Sequence, residues 1–180
     1  MPKVGAGAPG IQCHDQANKP WSLADTLERH DVKAVLLYFY PKDDTPGCTR
    51  QAIMLRDNVG TLGQTGVQVV GVSFDTAASH QRFIKKCQLN FTLLADPKGK
   101  VADAYGVRIP KRAIARRVSF LISKDGKILA MRAMSYANVG AYLASRGTLP
   151  PVINLGTAAG TYKVDAMHID VTGVFTNTNP

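Results

Sequence analysis

The chain reads as an α/β fold in which helices flank a central mixed, mostly parallel sheet. Three observations carry that expectation. Apolar runs rich in β-branched and aromatic residues recur at 34–40, 67–73 and 118–123, as buried strands require. Helical stretches at 49–63 and 77–87 alternate with them, and strand–helix alternation is the mark of parallel pairing. Ser123-Lys124-Asp125-Gly126-Lys127 puts Asp-Gly between two apolar runs. That is a tight hairpin turn, and it makes the last strand antiparallel.

The elements follow in order. Residues 10–15 form an early strand, and 34–40 form a strand that Pro41 and Pro46 stop, because proline lacks the N–H a ladder needs. A helix covers 49–63, a strand 67–73, a helix 77–87 and a short helix 101–105. Two strands at 118–123 and 127–131 close the pattern. A length of 180 residues with 45% hydrophobic content suits one domain with a sizeable core and argues against disorder. We assign that domain to residues 1–147 and an extension of unknown role to 148–180. In the extension, Pro150-Pro151 and residues 156–160 read as a linker. Residues 162–175 alternate loosely, with Gly173 as a break, suggesting one or two short strands.

Composition narrows the function classes. The formal net charge is +9, partly concentrated in Lys111-Arg112 and Arg116-Arg117. Ala113-Ile114-Ala115 interrupts those charges, so they form no run of the kind that binds nucleic acid. No apolar stretch approaches the about 20 residues that span a bilayer. Nothing resembles a targeting sequence, and the cytoplasm is the expected location. Three cysteines without framework spacing suit a reducing compartment. Those cysteines and the four histidines show no paired ligand spacing, so neither a metal nor another cofactor is expected. His14 reads as a surface imidazole.

The chemistry concentrates after the first buried strand. The chain breaks at Pro41, turns through polar residues and Gly47, and delivers Cys48 at a helix start. The thiolate is the nucleophile, and a free cysteine with pKa near about 8.5 is mostly protonated at neutral pH. In the first turn of a helix, unpaired backbone N–H groups and the helix dipole favour the anion. Thr45 supplies a hydroxyl three residues upstream that could donate to the sulfur or orient an incoming oxygen. From the residues alone a second reading stays open: a structural cysteine, with Thr45 as helix cap and Pro46 at the first helical position.

A resemblance bears on that choice. Pro41-Lys42-Asp43-Asp44-Thr45-Pro46-Gly47-Cys48 resembles the Pro-x-x-x-Thr-x-x-Cys loop of peroxiredoxins, the AhpC/TSA superfamily. Tyr38-Phe39-Tyr40 and Thr49 are similar to the Q-type branch, also called bacterioferritin comigratory protein. Further matches keep their order: residues 5–9, Gly71-Val72-Ser73 with Asp75 and Ser79-His80, Leu94-Ala95-Asp96 with residues 104–107, and residues 117–122. The resemblance spans residues 4–145. It implies a thioredoxin-like fold, consistent with the rule that α/β sites gather at strand carboxyl ends. It also implies a thiol-dependent peroxidase that reduces hydrogen peroxide and small organic hydroperoxides through a cysteine sulfenic acid.

Residue by residue, the resemblance makes Cys48 the peroxidatic cysteine and Thr45 the hydroxyl donor to peroxide and sulfur. Pro41 and Pro46 become shields of the loop, and Arg117 the cation beside the sulfur. Ser119 stands where the family often has threonine. Arg116 competes with Arg117, but strand alternation sends neighbours to opposite faces, and Arg117 is the expected partner. Thioredoxin or a similar dithiol protein is the expected reductant, and the protein is expected to be a monomer or weak dimer with no membrane partner.

Many relatives carry a second cysteine five residues after the first, and here that position is Ile53. Three routes to resolve the sulfenic acid remain: Cys87, Cys13, or an external thiol. A subset of the family resolves from the helix that holds Cys87, with its cysteine nearer Ile84. Three residues are about one turn, or about 4.5 Å along the axis. Bridging needs Cα atoms within about 7 Å, so both helices would have to unwind locally. Otherwise Cys87 is a small apolar residue on a buried helix edge near Leu89 and Phe91. Two other classes compete: a redox sensor or chaperone-like module that reacts stoichiometrically at Cys48, and a disulfide oxidoreductase, against which the missing Cys-x-x-Cys counts.

Overall fold

A computed structural model describes residues 1–133, 136–140 and 172–175. In chain order these form β1 (Gln12–Asp15), β2 (Pro20–Ser22), α1 (Leu23–Glu28), β3 (Ala34–Phe39), α2 (Pro46–Gln64), β4 (Val67–Ser73) and α3 (Ala77–Cys87). There follow β5 (Thr92–Ala95), α4 (Lys100–Ala104), β6 (Val118–Ser123), β7 (Ile128–Ala133), β8 (Tyr136–Gly140) and β9 (Thr172–Phe175). The chain divides into two compact units, Met1–Ala133 and Met134–Pro180. In the second, β8 and β9 pair in parallel.

The first unit is built on one seven-stranded mixed sheet in the order β2-β1-β5-β4-β3-β6-β7. Its centre, β3-β4-β5, is parallel. The expectation of a mostly parallel sheet holds for that centre, whereas the flanks are antiparallel: β6 and β7 beyond β3, and β1 and β2 beyond β5. The Asp125-Gly126 turn joins β6 to β7 as expected, with Gly126 at φ 75.

β3 is buried on both faces, which is why it reads as an unbroken apolar run rather than an alternation. Val35, Leu37 and Phe39 enter one core with Leu23 and Leu27 of α1 and Val101 and Ala102 of α4. Tyr38 and Tyr40, with the partly buried Leu36, enter the other, under Cys48, Ala52 and Leu55 of α2 and Phe83 and Cys87 of α3. In the sheet Tyr38 sits between Gly71 of β4 and Ser119 of β6. A Cβ at Gly71 would come within 2.8 Å of the Tyr38 ring and 2.6 Å of Leu93. Glycine there makes room for the phenol.

Several boundaries differ from expectation for local reasons. α2 begins at Pro46, not at 49, because Thr45 takes the cap position with extended φ −92 and Pro46 supplies a preset helical φ. α1, β2 and β5 were not expected: at six, three and four residues they are too short to show a period. Gly173 lies within β9 rather than breaking it. The linker expected at Pro150-Pro151 and 156–160, and the boundary expected between 147 and 148, lie outside the described residues.

Candidate active site

The site forms where β3 ends. The run stops at Phe39, residues 41–45 turn, and α2 starts with Pro46, so Cys48 lands in the first helical turn at the carboxyl end of a central strand. Cys48 is 2% exposed. Arg117, immediately before β6, donates from Nη2 to Cys48 Sγ at 3.1 Å. Ser119 pairs with Tyr38, so Arg117, two residues earlier, shares the Tyr38 face, the one that α2 covers. Arg116 is exposed, and its backbone N–H donates to Val107. Of the two arginines, Arg117 is the one whose side chain lies against the sulfur.

A guanidinium keeps its charge at any relevant pH and attracts a thiolate directly. Its other arm, Nη1, donates to Gln51 Oε1. Gln51 lies three residues after Cys48, on the same face of α2, and orients the cation from behind. Gly47 lies beside it: a Cβ there would sit in ordinary contact with Arg117 Nη2, at 3.4 Å. Thr45 caps α2 by position, yet its side chain makes no capping bond; the hydroxyl donates to the Lys42 carbonyl at 3.2 Å. Pro41 is half-buried and Pro46 exposed at the helix start.

Beneath the loop lies a buried polar cluster that sequence reasoning did not find. Tyr40 donates its hydroxyl to Asp43 Oδ1 at 2.7 Å, and His80 Nδ1 lies 2.9 Å from Asp43 Oδ2. The Asp43 amide donates to Asp75 Oδ2 at 2.9 Å, which also accepts from Ser73 at 2.7 Å. Burial would raise the Asp43 carboxyl, but the hydrogen bond and charge of His80, with help from Tyr40 and Ser79, outweigh it and hold the group below its ordinary value. On the outside, Asp44, at φ 56, pairs with Lys86 at 2.7 Å. In the sequence, Ser73, Asp75, Ser79 and His80 stand out only as ordered matches, without a role.

The other thiols separate clearly. Cys87, the last residue of α3, is 5% exposed in the same core cluster as Cys48, beside Leu89 and Phe91. Its carbonyl accepts from Arg56 of α2 at 2.7 Å. Burial, then Asp44, pushes its thiol up. Cys13 packs against the opposite core, and burial, then Asp96 and Asp15, pushes it up to about 12. His14 is exposed, as expected. Ile53 packs partly buried against the Cys48 cluster.

With the geometry in place, comparison with known proteins identifies the fold's relatives. The model of the AhpC/TSA family matches residues 4–131. The chain belongs to the AhpC/TSA family. Peroxiredoxin Bcp of Escherichia coli (strain K12) is 42% identical over 132 residues, covering 70% of this chain and 82% of that protein. Chloroplastic peroxiredoxin Q of Oryza sativa subsp. japonica is 38% identical over 125 residues, covering 69% of this chain and 56% of that one. Among solved structures, peroxidoxin BcpB from Mycobacterium tuberculosis superposes with a TM-score of 0.68 at 29% identity, covering 74% of this chain and 86% of that chain. As a peroxiredoxin, the chain is a peroxidase that takes a peroxide substrate and a thiol reductant. Among the described residues no helix is long and apolar enough to cross a membrane.

Residues 108–180 also match the model of the molybdopterin cofactor-binding domain. The overlap with the AhpC/TSA match, 108–131, is spent on the peroxiredoxin fold. Arg108 is held by Asp103 and the Lys98 carbonyl, Arg117 by Gln51 and Cys48, and Lys124 donates to the carbonyls of Arg29 and Val32. Those three cations are committed within the first unit, and β6 and β7 of that stretch are closed into its sheet.

Proposed function

We propose that Cys48 is the peroxidatic nucleophile of this enzyme and that Thr45, Arg117 and Pro41 complete its machinery. The observation that carries the reading is the Arg117 guanidinium on Cys48 Sγ at 3.1 Å, at the start of a helix. Two sources of positive potential converge on a buried sulfur, which is what a thiolate needs. The thiolate attacks the outer oxygen of a hydroperoxide. The S–O bond forms as the O–O bond breaks, sulfur gives up two electrons, and the leaving alkoxide or hydroxide takes a proton. The products are a Cys48 sulfenic acid and an alcohol or water. Donors aimed at the departing oxygen lower the barrier because they meet charge as it develops. Arg117 supplies them, and Thr45 does so once its hydroxyl turns from the Lys42 carbonyl. Pro41 shields the loop from water.

For resolution we propose Cys87. It shares the apolar cluster of Cys48 and lies on the neighbouring helix, whereas Cys13 faces the other side of the sheet. Its sulfur would attack the sulfenic sulfur, release water and close a disulfide once the end of α3 and the start of α2 have unwound. Thioredoxin or a similar dithiol protein would then reduce that bond, in the cytoplasm. Hydrogen peroxide and small alkyl hydroperoxides are the proposed substrates. The extension 148–180 stays outside this reading.

Replacing Cys48 by serine tests it. Catalytic consumption of hydrogen peroxide with thioredoxin and its reductase should vanish in Cys48→Ser. Turnover retained in that variant would refute the role of Cys48, and a wild-type protein that reacts once and stops would be a stoichiometric sensor.

A further inference from the structure

His80 is 0% exposed, yet both of its ring nitrogens face acceptors. Nδ1 lies 2.9 and 3.2 Å from the two carboxylate oxygens of Asp43, and Nε2 lies 3.2 Å from the Leu94 carbonyl of β5. The remaining polar neighbour, the Tyr40 hydroxyl, sits 3.4 Å from Nδ1 but gives its proton to Asp43 at 2.7 Å. A neutral imidazole has one N–H and one lone pair. Either tautomer would therefore turn a lone pair toward an oxygen lone pair in a dry site, an arrangement that is costly where no water can intervene. Only the doubly protonated ring satisfies both directions, and it places a cation against the Asp43 carboxylate.

Resting on the peroxidase reading above, we infer that His80 is carried as a buried imidazolium and is a positioning residue: with Asp43 it clamps the Cys48 loop onto α3 in the conformation that reacts with peroxide. The clamp's members come from four places. Asp43 lies in the loop, Tyr40 follows β3, His80 projects from the first turns of α3, and Leu94 belongs to β5. The same helix ends in Cys87. Releasing the clamp therefore frees the loop for the resolving step, while keeping it holds Cys48 for attack. The two half-reactions pull in opposite directions on one ion pair.

The test has a spectroscopic arm and a kinetic arm. In reduced full-length protein labelled with ¹⁵N-histidine, the His80 resonances, assigned by their loss in His80→Gln, should show both nitrogens protonated at neutral pH. A neutral-tautomer pattern, with one nitrogen unprotonated, overturns the inference whether or not the variants fold. In Asp43→Asn, oxidation of Cys48 by hydrogen peroxide should slow roughly tenfold, the order of one lost charge-assisted hydrogen bond. Capture of the resulting sulfenic acid by a dimedone probe should become faster, because the loop opens more readily. Both rates falling together would mean a merely structural role, and both unchanged would mean no role. Absence of peroxide consumption in the wild type would sink the peroxidase reading instead, and leaves the ¹⁵N result readable.

Discussion

Arg117 reaches Cys48 from the start of β6 and donates to its sulfur at 3.1 Å, so the cation and the nucleophile come from elements 69 residues apart. The contact depends on the antiparallel pairing of β3 with β6, which brings the approach to β6 alongside the end of β3 where α2 begins. Arg117→Met should slow the reaction of Cys48 with hydrogen peroxide roughly 10- to 100-fold, the value of one charge-assisted hydrogen bond at a reacting centre. Stopped-flow measurement of the first turnover checks this. A rate within twofold of wild type would mean that the guanidinium is incidental.

Gln51 acts one step behind. It accepts from the other arm of Arg117 and makes no hydrogen bond to the sulfur. Gln51→Ala should cost less than loss of Arg117 itself, roughly 3- to 10-fold in the same assay, because the cation remains but is less well aimed. In the double variant with Arg117→Met the Gln51 effect should disappear, the signature of two residues acting through one contact.

Asp43 links the site to stability. Its carboxyl is held below the ordinary value in the folded state. A depressed folded value means that the unfolded chain binds the proton more readily, so the contribution is fully present above the unfolded pKa of about 3.9. It is lost as pH falls through the lower folded value. Urea unfolding across that acid range should show a steeper loss for the wild type than for Asp43→Asn. Equal slopes would contradict the buried pair.

Tyr38 carries a fully buried hydroxyl that finds no hydrogen-bond partner among the described residues. An unsatisfied buried group is a net cost, so Tyr38→Phe should raise unfolding free energy by about 1 kcal/mol. The stacked contact with Tyr40, ring centroids 5.3 Å apart, survives the change. Denaturant midpoints of the two proteins decide it.

How much of this could be read from the chain depended on how local the signal was. Pro41, Thr45, Pro46 and Cys48 lie within eight residues, and their turn chemistry and helix start are written consecutively. That only one of Arg116 and Arg117 can face the sulfur follows from strand alternation, and the resemblance over residues 117–122 points to Arg117. Neither rule reaches Asp43 and His80, which stand 37 residues apart and meet only because α3 packs beside the end of β3. Gln51 was equally hidden, because an amide at i+3 from the cysteine acquires meaning only once Arg117 is known to arrive from another strand. α1, β2 and β5 were missed for a different reason. Each is held by pairing or packing against longer neighbours rather than by its own periodicity.

Cys87 offers a pH test of the resolving step. Its thiol is pushed up by burial, first of all, and attack requires the thiolate. Disulfide formation after oxidation of Cys48 should therefore quicken as pH rises through the alkaline range, measured by quenched flow with alkylation. A pH-independent rate would point to an external thiol.

The most direct measurement is peptide mapping by mass spectrometry after a single equivalent of hydrogen peroxide. The account predicts that Cys48 is consumed first, as a sulfenic acid or in a Cys48–Cys87 bond, while Cys13 stays reduced. Oxidation of Cys13 or Cys87 with Cys48 untouched would contradict it.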